Sequence, residues 1–318
     1  MPRVDVLIVS LGGTAGLREA DFELAASLRR AGASVEVARV TRARELRTFA
    51  AIEFAWAVNA RRATARAVDA FAPRAVIYST TTAALLGPVP GAIRFDAPAA
   101  GNRPGRHGVW QRPVEARRFR DASLLVPWSE GGLAEAPSPR AEAVVVPMPV
   151  SSSGAGGERD IAAITYGANP EKKGLDRVLA AWRRARREET LVVAGLDGDD
   201  EPGVRFAGML SRAEYRALLR RSRVFVTAPR REDYGIAQLE ALADGCMLVT
   251  TPSPGPYAAL PVARALDPRL VSAELAIRTA LDDPLPGYAE HAAAALTAWS
   301  PESVDRVVAE DLLPRLIS

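Results

Sequence analysis

Two lysines and two glutamates are the residues whose types and spacing point most directly to chemistry. Lys172 and Lys173 are the only lysines in a chain with 41 basic residues, and they lie in the segment TYGANPEKKG between a predicted strand and a predicted helix. A cation at such a junction can bind a diphosphate, because the free N–H groups and the dipole of a helix N-terminus also favour an anion there. The alternative is a solvated turn with surface lysines.

The second candidate is a pair of glutamates eight positions apart, Glu232 and Glu240, in the segment EDYGIAQLEALADG. If a helix begins near Gly235, Glu240 lies about a turn and a half into it and Glu232 lies in the loop before it. Both carboxylates can then face one ligand. Sugar hydroxyls need such acceptors, since a hydrogen bond to a charged group contributes roughly 1.5–3 kcal/mol. The alternative is an exposed loop acid followed by an ordinary helix glutamate.

A glycine-rich turn follows the first predicted strand in the segment SLGGTAG. Gly12 and Gly13 allow close approach of a ligand to the backbone, and the helix after them offers N–H groups to a phosphate. The spacing is not that of a dinucleotide-binding fingerprint, so an ordinary tight turn is an equally good interpretation.

The elements that must position these residues follow a regular alternation of strands and helices, which predicts two parallel sheets covered on both faces. Strands are predicted at residues 4–9, 35–40, 75–78, 92–95, 124–126, 144–146, 161–166, 191–194, 204–207, 224–227 and 248–250. Predicted helices include residues 18–30, 175–187, 211–221 and 236–243. The Gly- and Ser-rich segment at residues 151–157 predicts a flexible linker between domains at 1–150 and 151–318, with a ligand cleft between them.

Composition excludes several classes of protein. A chain of 318 residues that is 48% hydrophobic and 25% charged is a folded globular protein, and its single cysteine, Cys246, excludes a disulfide framework. The net charge of +3 combines a first half at +6 with a second half at −3, and the sequence shows no nucleic-acid-binding motif. The apolar runs are too short for a signal peptide or a membrane span, which predicts a cytoplasmic protein.

Together these segments resemble the GT-B glycosyltransferases of family 4 over nearly the whole chain. EDYG and LEALADGCMLV match the spacing of the family's E-x7-E motif, and GANPEKKG resembles its phosphate loop. VRFAG, WSE and AWSPE resemble three further family elements. The resemblance implies an α/β fold with two Rossmann-like parallel-sheet domains facing each other across a cleft. The first domain would bind the acceptor and the second the donor, and a last helix at about 302–318 would cross back to the first domain.

The resemblance also implies residue roles. Lys173 would bind the donor diphosphate, Glu232 the hydroxyls of the donor sugar, and Glu240 the nucleotide ribose. Further donor contacts would come from the backbone or loops at Gly12, Gly13, Gly208, Met209, Tyr234, Gly235 and Ile236. Two positions depart from the family's pattern. Ala168 replaces an arginine, for which Arg230, Arg231 or an arginine of the first domain could substitute, and Asp96 takes the place of a histidine as the third candidate catalytic residue.

The implied activity is transfer of a hexose from a UDP- or GDP-sugar to an acceptor, with retained configuration and without a metal or other cofactor. The acceptor is expected to be anionic, a carbohydrate or lipid-linked, because basic residues concentrate at positions 39–66 and 94–120. Those in the second stretch include Arg103, Arg106, His107, Arg112, Arg117 and Arg118. Peripheral contact with an anionic membrane is a second use of such a face. However, the stretch with Leu46, Phe49 and Trp56 favours a core-facing helix over one that lies on a membrane.

Three alternatives differ in class from a metal-independent transferase. A non-catalytic nucleotide-sugar binder or partner subunit is favoured by Ala168 and Asp96. Metal binding is suggested by Asp197 and Asp199 in a D-x-D pattern, for which a solvated acidic turn is the simpler interpretation. A dinucleotide oxidoreductase shares the strand–helix alternation but lacks the fingerprint.

Overall fold

The computed structural model describes residues 3–41, 48–185 and 188–318. The chain divides into two compact units, the first formed by Met1–Pro149 with Pro301–Ser318 and the second by Val150–Ser300. Each unit contains one five-stranded sheet in which all strand pairs are parallel. The predicted α/β architecture with two parallel sheets is therefore confirmed.

Unit 1 has the strand order β2-β1-β3-β4-β5. Its strands are β1 (Val6–Ser10), β2 (Val35–Arg39), β3 (Ala75–Tyr78), β4 (Ala92–Phe95) and β5 (Leu125–Pro127). Its helices are α1 (Ala15–Arg30), α2 (Phe49–Phe71), α3 (Thr81–Ala84), α4 (Ala99–Asn102), α5 (Gln111–Asp121) and α6 (Glu130–Glu135). A short 3₁₀ turn spans Gly105–Gly108. The sheet is buried on both faces because each face packs against its own apolar cluster.

The C-terminal segment of the chain also packs on unit 1. It is helical from Pro301–Val307, has a π-helical turn at Val308–Leu312, and ends in a helical turn at Leu313–Ile317. Val304, Val308 and Leu312 share an apolar cluster with the sheet. Asp305 fixes the segment to α1, since its carboxylate accepts hydrogen bonds from Arg30 Nε at 2.6 Å and Ser27 Oγ at 2.5 Å.

Unit 2 has the strand order β10-β9-β6-β7-β8. Its strands are β6 (Ile161–Tyr166), β7 (Leu191–Ala194), β8 (Val204–Gly208), β9 (Ser222–Thr227) and β10 (Met247–Thr250). Its helices are α7 (Pro170–Lys173), α8 (Leu175–Ala185), α9 (Arg212–Arg221), α10 (Ile236–Ala243), α11 (Ala259–Leu266), α12 (Ile277–Asp282) and α13 (Tyr288–Ala295). Short 3₁₀ turns span Pro268–Leu270 and Thr297–Trp299. Within the described ranges, none of the helices of either unit is long and apolar enough to cross a membrane.

The structure modifies two local predictions, and a third extends beyond the described residues. The segment predicted as a strand at residues 144–146 is not a regular strand, although it runs beside β5. Ala143 forms an isolated parallel bridge with Leu125, and the backbone N–H groups of Val144 and Val146 donate to the carbonyls of Leu125 and Pro127, both at 2.9 Å. The prolines at 147 and 149 cannot donate, and the pairing does not continue through them. The segment predicted as a linker, residues 151–157, is exposed, but its first half is hydrogen-bonded to unit 2. Ser153 donates to Asp244 through its backbone N–H at 2.8 Å and through its hydroxyl at 2.9 Å. The helix predicted at 175–187 is present over Leu175–Ala185, and residues 186–187 lie outside the described residues.

Candidate functional site

The candidate site of unit 2 lies where the strand order of its sheet changes direction. β6 is the central strand, with β7 and β8 on one side and β9 and β10 on the other. In open parallel sheets the loops after two such neighbouring strands diverge, and ligands bind in the crevice at their carboxyl ends. Lys172 and Lys173 follow β6, and Glu232 and Asp233 follow β9. The topology therefore brings together two segments that are far apart in the sequence.

The lysines are held on the one-turn helix α7. Asn169 caps the helix with its side chain, which accepts a hydrogen bond from the backbone N–H of Lys172 at 3.3 Å. Gly174 ends the helix at a φ of +64°, and a Cβ at this position would lie 2.0 Å from the carbonyl oxygen of Ala228. Only glycine fits there, because it tolerates a positive φ and the close approach of another backbone.

Lys173 and Glu232 form the central ion pair. The Nζ of Lys173 lies 2.7 Å from Oε2 of Glu232, and the same oxygen accepts a hydrogen bond from Nε2 of Gln238 at 2.8 Å. The carboxylate is buried, with 5% of its side chain exposed, whereas the lysine keeps 19% exposed. The backbone N–H of Glu232 donates to the carbonyl of Pro254 at 3.0 Å. A buried acceptor and an accessible cation are thus held next to each other.

A second ion pair lies beside the first. Lys172 is paired with Asp233, whose other oxygen accepts from Nε of Arg231 at 3.0 Å. Burial raises the pKa of Asp233, but Lys172 and Arg231 outweigh burial and hold that pKa below its ordinary value. Arg230 is paired with Asp176 at 2.8 Å. The two loop arginines that could replace the arginine expected at Ala168 are therefore both engaged with carboxylates.

Glu240 lies on α10 between two arginines. Its Oε1 accepts from Arg212 Nη2 at 3.1 Å and from Arg216 Nη1 at 3.4 Å. Burial raises the pKa of Glu240, and Arg216 and Arg212 offset this only in part. Arg216 also bonds Asp244, with Nε at 2.6 Å from Oδ2. Neither arginine is among the site residues predicted from the sequence. Their signal is a spacing of four on a helix that starts at the capping box of Ser211, where the two side chains share one face.

Backbone geometry supplies further candidate contacts in unit 2. Gly235 precedes α10 at a φ of +92°, and no side chain of a described residue caps that helix, so its first N–H groups can donate hydrogen bonds to an anion. Tyr234 is buried, and its hydroxyl accepts from Trp299 Nε1 at 3.1 Å. Gly208 ends β8 at a φ of +70°, and Met209 after it is 71% exposed. Ile236 is partly exposed in the first turn of α10.

Three of the predicted site residues belong to unit 1. Gly12 and Gly13 follow β1, where Gly12 has a φ of +56° and its carbonyl accepts from Nη1 of Arg18 at 2.9 Å. Gly13 is exposed. Asp96 follows β4, and its Oδ1 accepts from the backbone N–H of Ala97 at 2.8 Å. All three lie at the carboxyl edge of their sheet, the edge at which ligands bind in such folds.

The predicted basic face of unit 1 is smaller than the sequence suggests. Arg94 is buried, with 1% of its side chain exposed, because its guanidinium packs 4.8 Å from the ring of Trp128 and 3.8 Å from Asp21. Arg103 is paired with Glu53 at 3.3 Å. Arg112 donates to a backbone carbonyl at 2.6 Å. The side chain of His107 and residues 42–47, which include three arginines, lie outside the described residues.

The stretch weighed as a membrane-surface helix belongs to α2. Trp56 packs against the apolar cluster on one face of the unit 1 sheet. Phe49 is 41% exposed, and the guanidinium of Arg103 stacks 4.5 Å from the centre of its ring. Leu46 lies outside the described residues.

The acidic turn at residues 197–200 is bound to the neighbouring strand. Oδ1 of Asp200 accepts from the backbone N–H of Phe206 at 2.7 Å. No group of three or more His, Cys, Asp or Glu that could hold a metal ion occurs in the described part of the chain.

Residues 160–273 match the family model described as "Glycosyl transferases group 1". No curated protein sequence matches the chain. Among solved structures, sucrose-phosphate synthase from Thermosynechococcus elongatus is similar with a TM-score of 0.69 and 14% identity, over 95% of this chain and 96% of that one. WaaG, a glycosyltransferase involved in lipopolysaccharide biosynthesis, is similar with a TM-score of 0.68 and 14% identity, over 96% of this chain and 100% of that one. HepE from Anabaena, in complex with UDP and glucose, is similar with a TM-score of 0.64 and 13% identity, over 98% of this chain and 99% of that one.

Proposed function

We propose that this chain, which has the GT-B fold and whose residues 160–273 match the model of the group 1 glycosyl transferases, transfers a sugar from a nucleoside diphosphate to an acceptor. The observation that carries the proposal is the pairing of Lys173 with Glu232 at the carboxyl ends of β6 and β9. One ligand with an anionic group beside a hydroxyl-rich group satisfies both residues, and a sugar diphosphate has these two parts in sequence.

The proposed chemistry breaks the bond between the anomeric carbon of the sugar and the diphosphate oxygen. Negative charge grows on the leaving diphosphate, where the Lys173 ammonium and the N–H groups at the start of α10 stabilise it. Glu232 accepts hydrogen bonds from the sugar hydroxyls, and Glu240 accepts from the ribose. The acceptor oxygen bonds to the anomeric carbon on the face that the diphosphate leaves, and its proton goes to a phosphate oxygen. The configuration is then retained without a side-chain base.

We propose that no metal takes part, because Lys173 and the backbone supply the positive potential that a divalent cation would otherwise provide. Donor turnover in excess chelator is expected to equal turnover without it. A loss of activity that manganese or magnesium restores would contradict this part of the proposal and would direct attention to Asp197 and Asp199.

A thermal-shift panel of UDP, GDP and their hexose conjugates tests the donor class, since a ligand that binds the native state raises the midpoint by mass action. We expect one nucleotide series to stabilise the protein saturably. The absence of a shift with every member of the panel would contradict the proposal.

A non-catalytic nucleotide-sugar binder is the second candidate, and it is favoured by Ala168 in the phosphate loop and by the engagement of Arg230 and Arg231 with carboxylates. Nucleotide release from a stabilising donor, measured without acceptor, separates the two. Slow release above the uncatalysed rate indicates an enzyme, and stabilisation without release indicates a binder.

A further inference from the structure

Unit 2 contains a concave pocket of about 450 Å³ that the proposed donor site does not use. Its walls come from α8, from residues 228–230 after β9, from residues 251–254 after β10, and from residues 273–275. Neither Lys173, Glu232 nor Glu240 lines it. Pockets that hold small molecules have volumes of about 300–1,000 Å³, so this one has the size of a ligand site.

Two arginines of α8 line the pocket. Arg177 and Arg184 lie seven positions apart on α8, about 10 Å along the same face of the helix. Both are exposed, and neither makes a side-chain hydrogen bond or ion pair with a residue that the structure describes. Arg230 also lines the pocket, but it is paired with Asp176. The pocket lining thus contains two guanidinium groups that pair with none of the described residues, and their planar donor sets match a phosphate.

The pocket lining also contains a strained residue. Leu275 is 6% exposed and has a φ of +57°, a conformation that is unfavourable for a bulky side chain. Strain of this kind persists where the surrounding structure fixes it, and it is enriched at ligand sites. Glu274 beside it is exposed and adds a carboxylate to the pocket lining, where it can accept hydrogen bonds from ligand hydroxyls.

Residues 228–230 of the pocket lining are hydrogen-bonded to the segment that positions Lys173. The backbone N–H of Arg230 donates to the carbonyl of Lys172 at 2.9 Å, and its Nη1 donates to the carbonyl of Glu171 at 2.7 Å. The carbonyl of Pro229 accepts from the hydroxyl of Ser253 at 2.6 Å. A ligand in the pocket would therefore rest on residues that hold the lysine helix.

We propose that this pocket binds a small phosphorylated molecule, with its phosphate on Arg177 and Arg184, at a site separate from the donor site. The hydroxyl-bearing part of the ligand would face Glu274. Since the pocket shares the 228–230 segment with the lysine helix, occupancy would alter donor binding in the same unit. Only this last consequence rests on the proposed function.

The test is the saturable rise in thermal midpoint with inorganic phosphate and, separately, with glycerol 3-phosphate, at constant ionic strength. We expect the doubly substituted R177Q/R184Q protein to bind both probes at least about tenfold more weakly, since two charge-assisted contacts are lost. R183Q is the matched control, because Arg183 lies on the same helix but pairs with Glu201 at 2.5 Å and does not line the pocket. It is expected to bind as the wild type does.

Lys173→Ala distinguishes binding in the pocket from binding at the donor site. This variant should leave the affinity for both probes unchanged, because Lys173 does not line the pocket. The proposal is overturned if R177Q/R184Q binds like the wild type, if Lys173→Ala abolishes binding, or if neither probe stabilises the wild-type protein. Tighter binding of the ester than of free phosphate identifies an organic phosphate as the ligand, and equal binding identifies the free anion. If phosphate changes the donor KM of the wild type but not that of R177Q/R184Q, this result supports coupling between the pocket and the donor site. The binding measurements test the pocket independently of the proposed sugar transfer, because they require no catalytic activity.

Discussion

The ammonium of Lys173 lies 2.7 Å from the carboxylate of Glu232, although 59 positions separate the two residues in the chain. Gln238 donates to the same carboxylate oxygen, so Glu232 is oriented from two sides. Both side chains are already fixed in the folded protein. Binding of a ligand therefore does not have to include the loss of side-chain conformational entropy that fixing them requires. A donor that bridges the two residues would replace their mutual contact with a diphosphate on the lysine and hydroxyls on the glutamate.

Replacement of Lys173 by alanine is expected to lower kcat/KM for donor turnover by about 10²-fold or more, because the growing charge on the diphosphate loses its positioned cation. Steady-state nucleotide release measures this. Lys172→Ala is the matched control and should lose much less, since Lys172 pairs with Asp233 and Arg231 continues to hold that carboxylate. Near wild-type turnover in Lys173→Ala would argue against the assigned role.

Glu240→Gln is expected to weaken binding of the free nucleoside diphosphate by about tenfold, through loss of a charged acceptor for the ribose. Glu232→Gln should not weaken that affinity, because loss of the carboxylate leaves the Lys173 ammonium free for the diphosphate, and it should weaken the sugar conjugate relative to the free nucleotide. Calorimetric titration of both variants with both ligands provides the comparison. Equal losses for the two variants with the free nucleotide would contradict the division of roles.

Burial raises the pKa of Glu240, so its carboxylate takes up a proton at a higher pH than an exposed glutamate does. Nucleotide affinity in the wild type should therefore fall as the pH is lowered, starting above the range in which exposed glutamates titrate. Glu240→Gln should lose this component of the pH dependence. The same titrations repeated at several pH values measure the effect, and an unchanged profile in the variant would assign it to another group.

Gly174→Ala is expected to destabilise unit 2 by about 1–3 kcal/mol and to lower donor turnover with it. The new Cβ would lie 2.0 Å from the carbonyl oxygen of Ala228 at a φ of +64°, so the lysine helix must shift. Gly156→Ala is the control, because a Cβ there meets nothing within 4 Å. It should change the free energy of unfolding by less than about 0.5 kcal/mol in urea titrations. Wild-type stability and turnover in Gly174→Ala would show that the turn can adapt.

The strand–helix alternation was readable from the sequence because the buried strands of a parallel sheet are continuous apolar runs. Lys173 and Glu232 could be placed after their strands in the same way, because each follows one of these apolar runs. Arg212 and Arg216 were not, since two basic residues four apart on a helix are typical of a solvated face. Their contact with Glu240 depends on how α9 packs against α10. The burial of Arg94 was equally unreadable, because its partners, Asp21 and Trp128, lie on other elements of unit 1.

Glu115 makes the stability of unit 1 depend on pH. Burial raises its pKa from 4.5 to about 7, even though its Oε1 accepts from the backbone N–H of Ala99 at 2.7 Å. Between these two pH values the native state keeps a proton that the unfolded chain has released. The stability that this proton contributes is therefore complete below pH 4.5 and is lost as the pH rises to about 7. The total loss is about 3 kcal/mol.

Glu115→Gln is therefore expected to remove most of this decline, because the amide keeps the acceptor for Ala99 and cannot ionise. Urea unfolding across the interval from pH 4.5 to 7 measures the slope in the wild type and the variant. Glu36→Gln is the control, since Glu36 is exposed on β2 and its replacement should leave the slope unchanged. A decline of equal size in Glu115→Gln and the wild type would mean that another group releases the proton.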